Sequence, residues 1–265
     1  MSPIRLAIHG AAGRMGLRLI ALGHHDPELE IVAALESAQH PVLGQDAGLA
    51  AGVGTLGVAF DDELPTEVDA VIDFSLPAGA EAISRQCARR RIPLVMATTG
   101  LDATQQQAVR EAAEQTAVVW APNMSLAVNL TMKLAATAAE VLQRAGGDAD
   151  VEIIERHHRF KADAPSGTAL QFGQAIARIL GQQRHVHGRQ GAWGARPRDE
   201  IAYHALRVGD NPGEHTIVFG MLGETIELTV RATNRDCYAL GALTAAKFAV
   251  RQPPGHYTMR EVLGL

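Results

Sequence analysis

Residues Arg5–Gly16 read RLAIHGAAGRMG, and the helical pattern LRLIALG follows at Leu17–Gly23. An apolar run of five, a glycine-spaced turn and an amphipathic helix make a strand–turn–helix unit. Glycines let the backbone turn tightly and come close to a phosphate, and the helix N-terminus offers N–H groups and a partial positive charge. The spacing is GxxGxxG rather than GxGxxG, with Ala12 in a glycine place. Alone, such a loop is a weak signal; its meaning depends on what surrounds it.

The surroundings repeat the unit. Ile31–Leu35, Val68–Phe74, Pro93–Ala97 and Ala117–Ala121 are apolar runs of strand length, with helical patterns between several of them. Pro77 sits where a first helical turn tolerates proline, and TTGLDATQQQAVREAAEQ (Thr98–Gln115) reads as a capped helix. Cys87 falls on a helical pattern and is expected in the core. Apolar strands alternating with helices predict a parallel sheet covered on both faces. The fold class is α/β, opening with a Rossmann-type dinucleotide-binding domain.

The pattern changes after Asn123. A long helix is expected over Ala127–Arg144. Ile201–Leu206, His215–Leu222 and Thr225–Ala232 are β-type runs without long helices between them, the last two joined by a hairpin at Gly223-Glu224. They predict a meander on a mixed or antiparallel sheet, and so a second α+β domain. The expected division is 1–124 for the first domain and 125–235 for the second, with 236–265, helical over Leu240–Val250, packing back on the first. Gly188–Pro197 is expected to be a loop.

Composition narrows the function. The chain has 265 residues and a net charge of −5, so no global basic excess exists to bind nucleic acid. The uncharged stretch Ala47–Phe60 carries four glycines and is too short for a membrane helix. No signal-peptide pattern is read at the N-terminus. With two cysteines, Cys87 and Cys237, neither a disulfide framework nor a zinc site is indicated, and no metal is expected. A cytoplasmic setting follows as the expectation.

Glu36 follows Gly16 by twenty residues, where an acid can bind adenosine ribose hydroxyls. Its neighbour is Ser37, not a cation, so a 2′-phosphate would face a carboxylate. The cofactor expected is NADH or NADPH, leaning to NADH. The turns Ala97-Thr98-Thr99-Gly100 and Ala121-Pro122-Asn123-Met124 lie at carboxyl ends of strands, where ligands of open α/β sheets bind. Thr98, Thr99 and Asn123 offer polar contacts to a dinucleotide, with helix capping by Thr98, Thr99 or Ser125 an equal alternative.

Glu152–Leu170 reads EIIERHHRFKADAPSGTAL. A strand leads into two histidines, an arginine and a lysine, then into a turn that opens a helix over Ala169–Leu180. Adjacent strand residues point to opposite faces, so His157 and His158 should not share a role if the strand reaches them. The Ser166-Gly167-Thr168 turn suits a carboxylate, Lys161 supplies charge or a proton, and the ligand expected is a small anion. Ser166 as a plain helix cap is the bland alternative. His24, His25, His185 and His187 are read as loop histidines.

EIIERHHRFKADAPSGTA closely resembles the signature of the 4-hydroxy-tetrahydrodipicolinate reductase family. GAAGRMG, Asp73–Ser75 (DFS), Ala97–Gly100 (ATTG), Ala121–Ser125 (APNMS) and Gly213–Thr216 (GEHT) occur in that family's order, so the resemblance spans the chain. It implies a homotetramer built through the second sheet, and hydride transfer from NADH or NADPH to a cyclic dicarboxylate with loss of water. By position, His157 resembles the family's acid/base, Lys161 the proton donor and His158 a substrate contact. Gly167 and Thr168 resemble carboxylate binders. Gly10, Ala11, Ala12, Gly13, Arg14, Met15, Glu36, Ala97, Thr98, Thr99, Ala121, Pro122, Asn123 and Met124 resemble dinucleotide contacts. Ser37, Ala97 and Met124 depart from residues common in the family and bear on cofactor fit. Another oxidoreductase acting on a cyclic imine or carboxylate, and a non-catalytic dinucleotide sensor, are the alternatives.

Overall fold

The computed structural model describes residues 2–146 and 149–265. In chain order the elements are β1 (Ile4–His9), α1 (Arg14–His24), β2 (Leu29–Leu35), α2 (Ala47–Ala51), β3 (Phe60–Asp61), β4 (Ala70–Asp73), α3 (Pro77–Arg90), β5 (Leu94–Met96), α4 (Ala103–Gln115) and β6 (Ala117–Trp120). There follow α5 (Leu126–Arg144), β7 (Asp150–His157), α6 (Gly167–Leu180), β8 (Arg184–His187), β9 (Glu200–Arg207), β10 (Gly213–Met221), β11 (Glu224–Ala232), α7 (Asp236–Ala249), β12 (Gly255–Tyr257) and α8 (Met259–Leu263).

The chain divides into two compact units: the part up to Leu126 with Arg235–Leu265, and Ala127–Asn234. The first holds a seven-stranded parallel sheet in the order β12-β6-β5-β4-β1-β2-β3. Its strands are near-continuous apolar runs because both faces are covered. Leu6 and Ile8 pack on one side with Leu19 and Ile20 of α1 and Leu243 of α7. Ala7 and Val71 pack on the other with Ile83 and Cys87 of α3 and Val109 of α4. Cys87 is fully buried, as the helical pattern required. Asp102 and Gln105 form a capping box that starts α4.

The C-terminal helix α7 is stapled to this unit by charge. Asp236 pairs with Arg18 at 2.6 Å, and Lys247 pairs with Asp26 at 2.7 Å and Glu28 at 2.8 Å. Gly241 lets α7 lie against the chain: a Cβ there would sit 1.7 Å from the carbonyl oxygen of Met124. α7 begins at Asp236, ahead of its apolar pattern at Leu240, and α2, β3, β12 and α8 are too short to carry a periodic signal.

The second unit has a five-stranded sheet ordered β11-β10-β7-β9-β8. It is mixed: β10 runs antiparallel to β7 and β11, while β9 runs parallel to β7 and β8. The three later runs are therefore no simple meander, because β7 lies between β9 and β10. Val151, Ile153, Ile217, Phe219, Ile201 and Tyr203 form one buried face under Val128 and Ala135 of α5 and Phe172 and Ile176 of α6. Gly173 of α6 is required by this packing, since a Cβ there would fall 1.8 Å from the Tyr203 hydroxyl. His185 and His187 are not loop residues; they lie on β8, and both rings stack near Tyr203. The RHVH strand was missed because its pattern is polar and exposed.

Candidate active site

In the first unit the glycine turn is built as a ligand cradle. Gly10 has φ +76°, and a Cβ there would strike the backbone of Phe74 and Ser75 at 2.7 Å. A Cβ at Gly16 would sit 2.3 Å from the Gly10 carbonyl and 2.4 Å from that of Ala11. The loop thus folds onto itself backbone to backbone. Gly13 caps α1 without any side-chain hydrogen bond, which leaves the first turn of that helix open to an anion. These features fit a dinucleotide pyrophosphate. Ala11 and Gly10 are buried, Ala12 and Met15 half-buried, and Gly13 and Arg14 exposed.

Glu36 stands just beyond β2. Its Oε1 accepts from Ala12 N at 2.9 Å, so the carboxylate already touches the glycine turn. Ala97 and Ala121 are buried backbone positions, and Met124 is a core residue at 2% exposure. Thr98 is buried, with Oγ1 3.4 Å from the Ser75 carbonyl; Thr99 and Pro122 are exposed. Asn123 Oδ1 accepts from Ser125 N at 2.9 Å, which braces the turn before α5.

Beside this loop, the DFS segment is paired with a residue that carries no local signal in the sequence. His9 Nδ1 lies 2.8 Å from Oδ1 of the fully buried Asp73, at the carboxyl ends of β1 and β4. Ser75 N donates to the same oxygen at 3.1 Å. The DFS turn is thus tied to the end of β1.

In the second unit, β7 ends at His157, and His158 lies just past it. The face that carries Val151 and Ile153 continues to Glu155 and His157, both buried. The Glu155 carboxylate is encircled. Its Oε2 lies 2.5 Å from His157 Nδ1 and 2.8 Å from Arg207 Nη1; its Oε1 lies 2.8 Å from Arg207 Nη2 and accepts from Ser166 N at 3.0 Å. Burial pushes this carboxyl up, but the bonds from His157 and Arg207 outweigh it and hold it at about 2.

His215 of β10 closes the other side. Its ring meets His157 edge-on at 5.2 Å, and its Nε2 is 3.0 Å from Ser166 Oγ. Burial, with His157 adding to it, pushes His215 down to about 4, so it stays neutral near neutral pH. Ser166 Oγ also accepts from Ala169 N, capping α6. With the Ser166 hydroxyl oxygen accepting there, its proton is available to His215. Ser166 is 2% exposed; its hydroxyl holds the turn rather than facing solvent. Gly167 beside it is exposed, and nothing lies within 4 Å of where its Cβ would be. The N-terminus of α6 is therefore open at Gly167, with Thr168 next along it.

Lys161 Nζ pairs with Asp163 Oδ1 at 2.7 Å on the segment between β7 and α6. Phe160 is 79% exposed, with Arg159 over its ring at 6.0 Å. Arg156 points to the opposite face of the sheet and pairs with Glu214. The structure thus brings together His157, Ser166 and the opening of α6, and adds Glu155, Arg207 and His215. Chain separation hid these three: strand register places Ala205 and His215 opposite Glu155, and Arg207 opposite His157. Among the described residues, no group of three or more His, Cys, Asp or Glu could hold a metal ion.

The comparisons agree with both halves. Residues 4–124 match the family described as "Dihydrodipicolinate reductase, N-terminus" and residues 127–263 its C-terminus. The chain is 56% identical to a 4-hydroxy-tetrahydrodipicolinate reductase of Rhodopirellula baltica, covering 99% of this chain and 97% of that one. It is 46% identical to the enzyme of the same name from Halorhodospira halophila, covering 98% of each. Among solved structures, a dipicolinate-bound dihydrodipicolinate reductase from Paenisporosarcina sp. TG-14 superposes with a TM-score of 0.77 at 27% identity over 98% of each chain. An amine dehydrogenase from Mycobacterium smegmatis, at 15% identity and a TM-score of 0.59, shares the fold. With both family halves matched end to end and the phosphate cradle and the histidine-bearing turn in place, the chain belongs to the dihydrodipicolinate reductase family.

Proposed function

We propose that the chain reduces 4-hydroxy-tetrahydrodipicolinate to tetrahydrodipicolinate, with loss of water, in the diaminopimelate route to lysine. The observation that carries this reading is the buried Glu155–His157 pair beside the open N-terminus of α6, in a chain 56% identical to a reductase of that name. A relative holds dipicolinate, a small dicarboxylate of the expected kind.

A reduced nicotinamide dinucleotide, when bound, supplies the hydride. Gly10–Met15, Glu36, Ala97–Thr99 and Ala121–Met124 would hold it, several of them by backbone alone because their side chains are buried. Glu36 beside neutral Ser37 favours NADH over NADPH, since a 2′-phosphate would meet a carboxylate. On the substrate half, the N–H groups at Gly167 and Thr168, the Thr168 hydroxyl and the positive end of α6 bind a carboxylate, with His158 as a further contact. Charge that develops towards the ring nitrogen is stabilised by Lys161, and a proton is delivered from Lys161 or from His157 Nε2. Lys161 must exchange its bond to Asp163 for one to the substrate.

We also infer a homotetramer and a cytoplasmic setting. The face of the second sheet turned away from α5 and α6 carries Ile154 and Leu206, 39% and 44% exposed, among charged neighbours, which suits burial against another copy. Cys87 is a buried thiol, and no helix among the described residues is long and apolar enough to cross a membrane. Calorimetric titration with dipicolinate tests the substrate half. Binding that weakens about tenfold in Thr168→Val, as expected for loss of a hydrogen bond to a charged group, supports it; no binding by the intact chain contradicts it.

A further inference from the structure

We propose that Glu155 and Arg207 are positioning residues for His157: the carboxylate fixes the ring and strengthens its hold on a proton, and the guanidinium limits that hold. This rests on the reading of His157 as the proton-carrying group.

The geometry is dictated by the sheet. Glu155 and His157 are two apart on one strand and so share a face. Arg207 is the residue opposite His157 on β9, and His215 is opposite Glu155 on β10. Glu155 is fully buried, and its two oxygens serve one ring nitrogen, one backbone N–H and both ends of a guanidinium. An ionised carboxylate only accepts. His157 Nδ1 must therefore carry a hydrogen, and the nitrogen left to exchange a proton is Nε2. The same carboxylate holds Ser166 N, so the proton carrier and the first residue of the α6 turn share one anchor.

The remaining charges around His157 can be named. From β10 comes His215, kept neutral by burial. From the following turn comes Lys161, itself tied to Asp163 at 2.7 Å. From β9 comes Arg207, which also donates to the Asp163 carbonyl. Protonated His157 is thus opposed by the cations Arg207 and Lys161 and favoured by one buried anion. Removing Glu155's charge must loosen the proton; removing Arg207's must tighten it. A role confined to folding gives no reason for opposite signs.

The test is a pH titration of the full chain labelled with 15N-histidine, read by long-range 1H–15N spectra, with the His157 signal assigned by its loss in His157→Gln. The wild type is expected to show hydrogen on Nδ1 in the neutral ring. Glu155→Gln should move the midpoint down by about one pH unit and Arg207→Met up by about one, with Arg207→Lys returning close to the wild type. A neutral ring with hydrogen on Nε2, or midpoints that stay put or move together, overturns the proposal. If Glu155→Gln does not fold, Arg207→Met decides alone: a rise supports the proposal and its absence overturns it. These signals need no turnover. An inactive wild type would defeat the functional reading, while the midpoints would still decide this one.

Discussion

His215 Nε2 lies 3.0 Å from Ser166 Oγ, so a histidine from β10 holds the cap of α6. Because burial drives this ring to about 4, the folded chain resists a proton that the unfolded chain accepts near pH 6.5. The sign follows from linkage: stability is fully present above pH 6.5 and falls as the pH drops towards 4, by about 3 kcal/mol from this group. His215→Gln, which keeps a hydrogen-bonding amide at the site, should flatten the loss between pH 6.5 and 4.5. Denaturant unfolding at pH 7.5, 6 and 4.5 measures it. An unchanged slope would contradict the account.

The two groups assigned to proton chemistry should respond differently from the group assigned to binding. His157→Gln and Lys161→Ala should lower kcat by about 10²–10⁴-fold. His158→Ala should mainly raise KM. Steady-state kinetics separates these effects; small and equal changes in all three would sink the assignment.

Glu36 contacts Ala12 N at 2.9 Å and so sits at the rim of the glycine turn. NADH should be used at least about tenfold more efficiently than NADPH, the scale of one charged hydrogen bond gained or lost. Glu36→Ser combined with Ser37→Arg should narrow or reverse the ratio of kcat/KM. A wild-type preference for NADPH would contradict the reading of Glu36.

Two glycines should behave oppositely. At Gly16 a Cβ meets two backbone carbonyls within 2.4 Å, so Gly16→Ala must open the turn, lowering stability by about 1–3 kcal/mol and weakening dinucleotide binding. At Gly167 a Cβ meets nothing within 4 Å, so Gly167→Ala should leave Tm unchanged but raise KM by narrowing the approach to α6. Thermal unfolding, titration with NADH and steady-state kinetics distinguish the two.

The glycine turn was readable because strand, turn and helix are consecutive, and each step has a local signature. The segment from β7 to α6 that carries His157 and Lys161 was readable as strand, turn and helix for the same reason. Glu155 looked like any polar strand residue, although it is the buried centre of a hydrogen-bonded cluster in the second unit. Its meaning depends on Arg207 and His215, which strand pairing brings from 52 and 60 residues away. His9 and Asp73 are hidden likewise, each at the end of its own parallel strand. The order of β7, β9 and β10 was misjudged because hairpin signals say nothing about a strand inserted from earlier in the chain.

The central claim is tested most directly by following NADH and NADPH oxidation with substrate generated in place by the preceding synthase. The account predicts oxidation that depends on that substrate, is faster with NADH, and is lost in His157→Gln. NADH binding without substrate-dependent oxidation would contradict it and would favour a dinucleotide sensor.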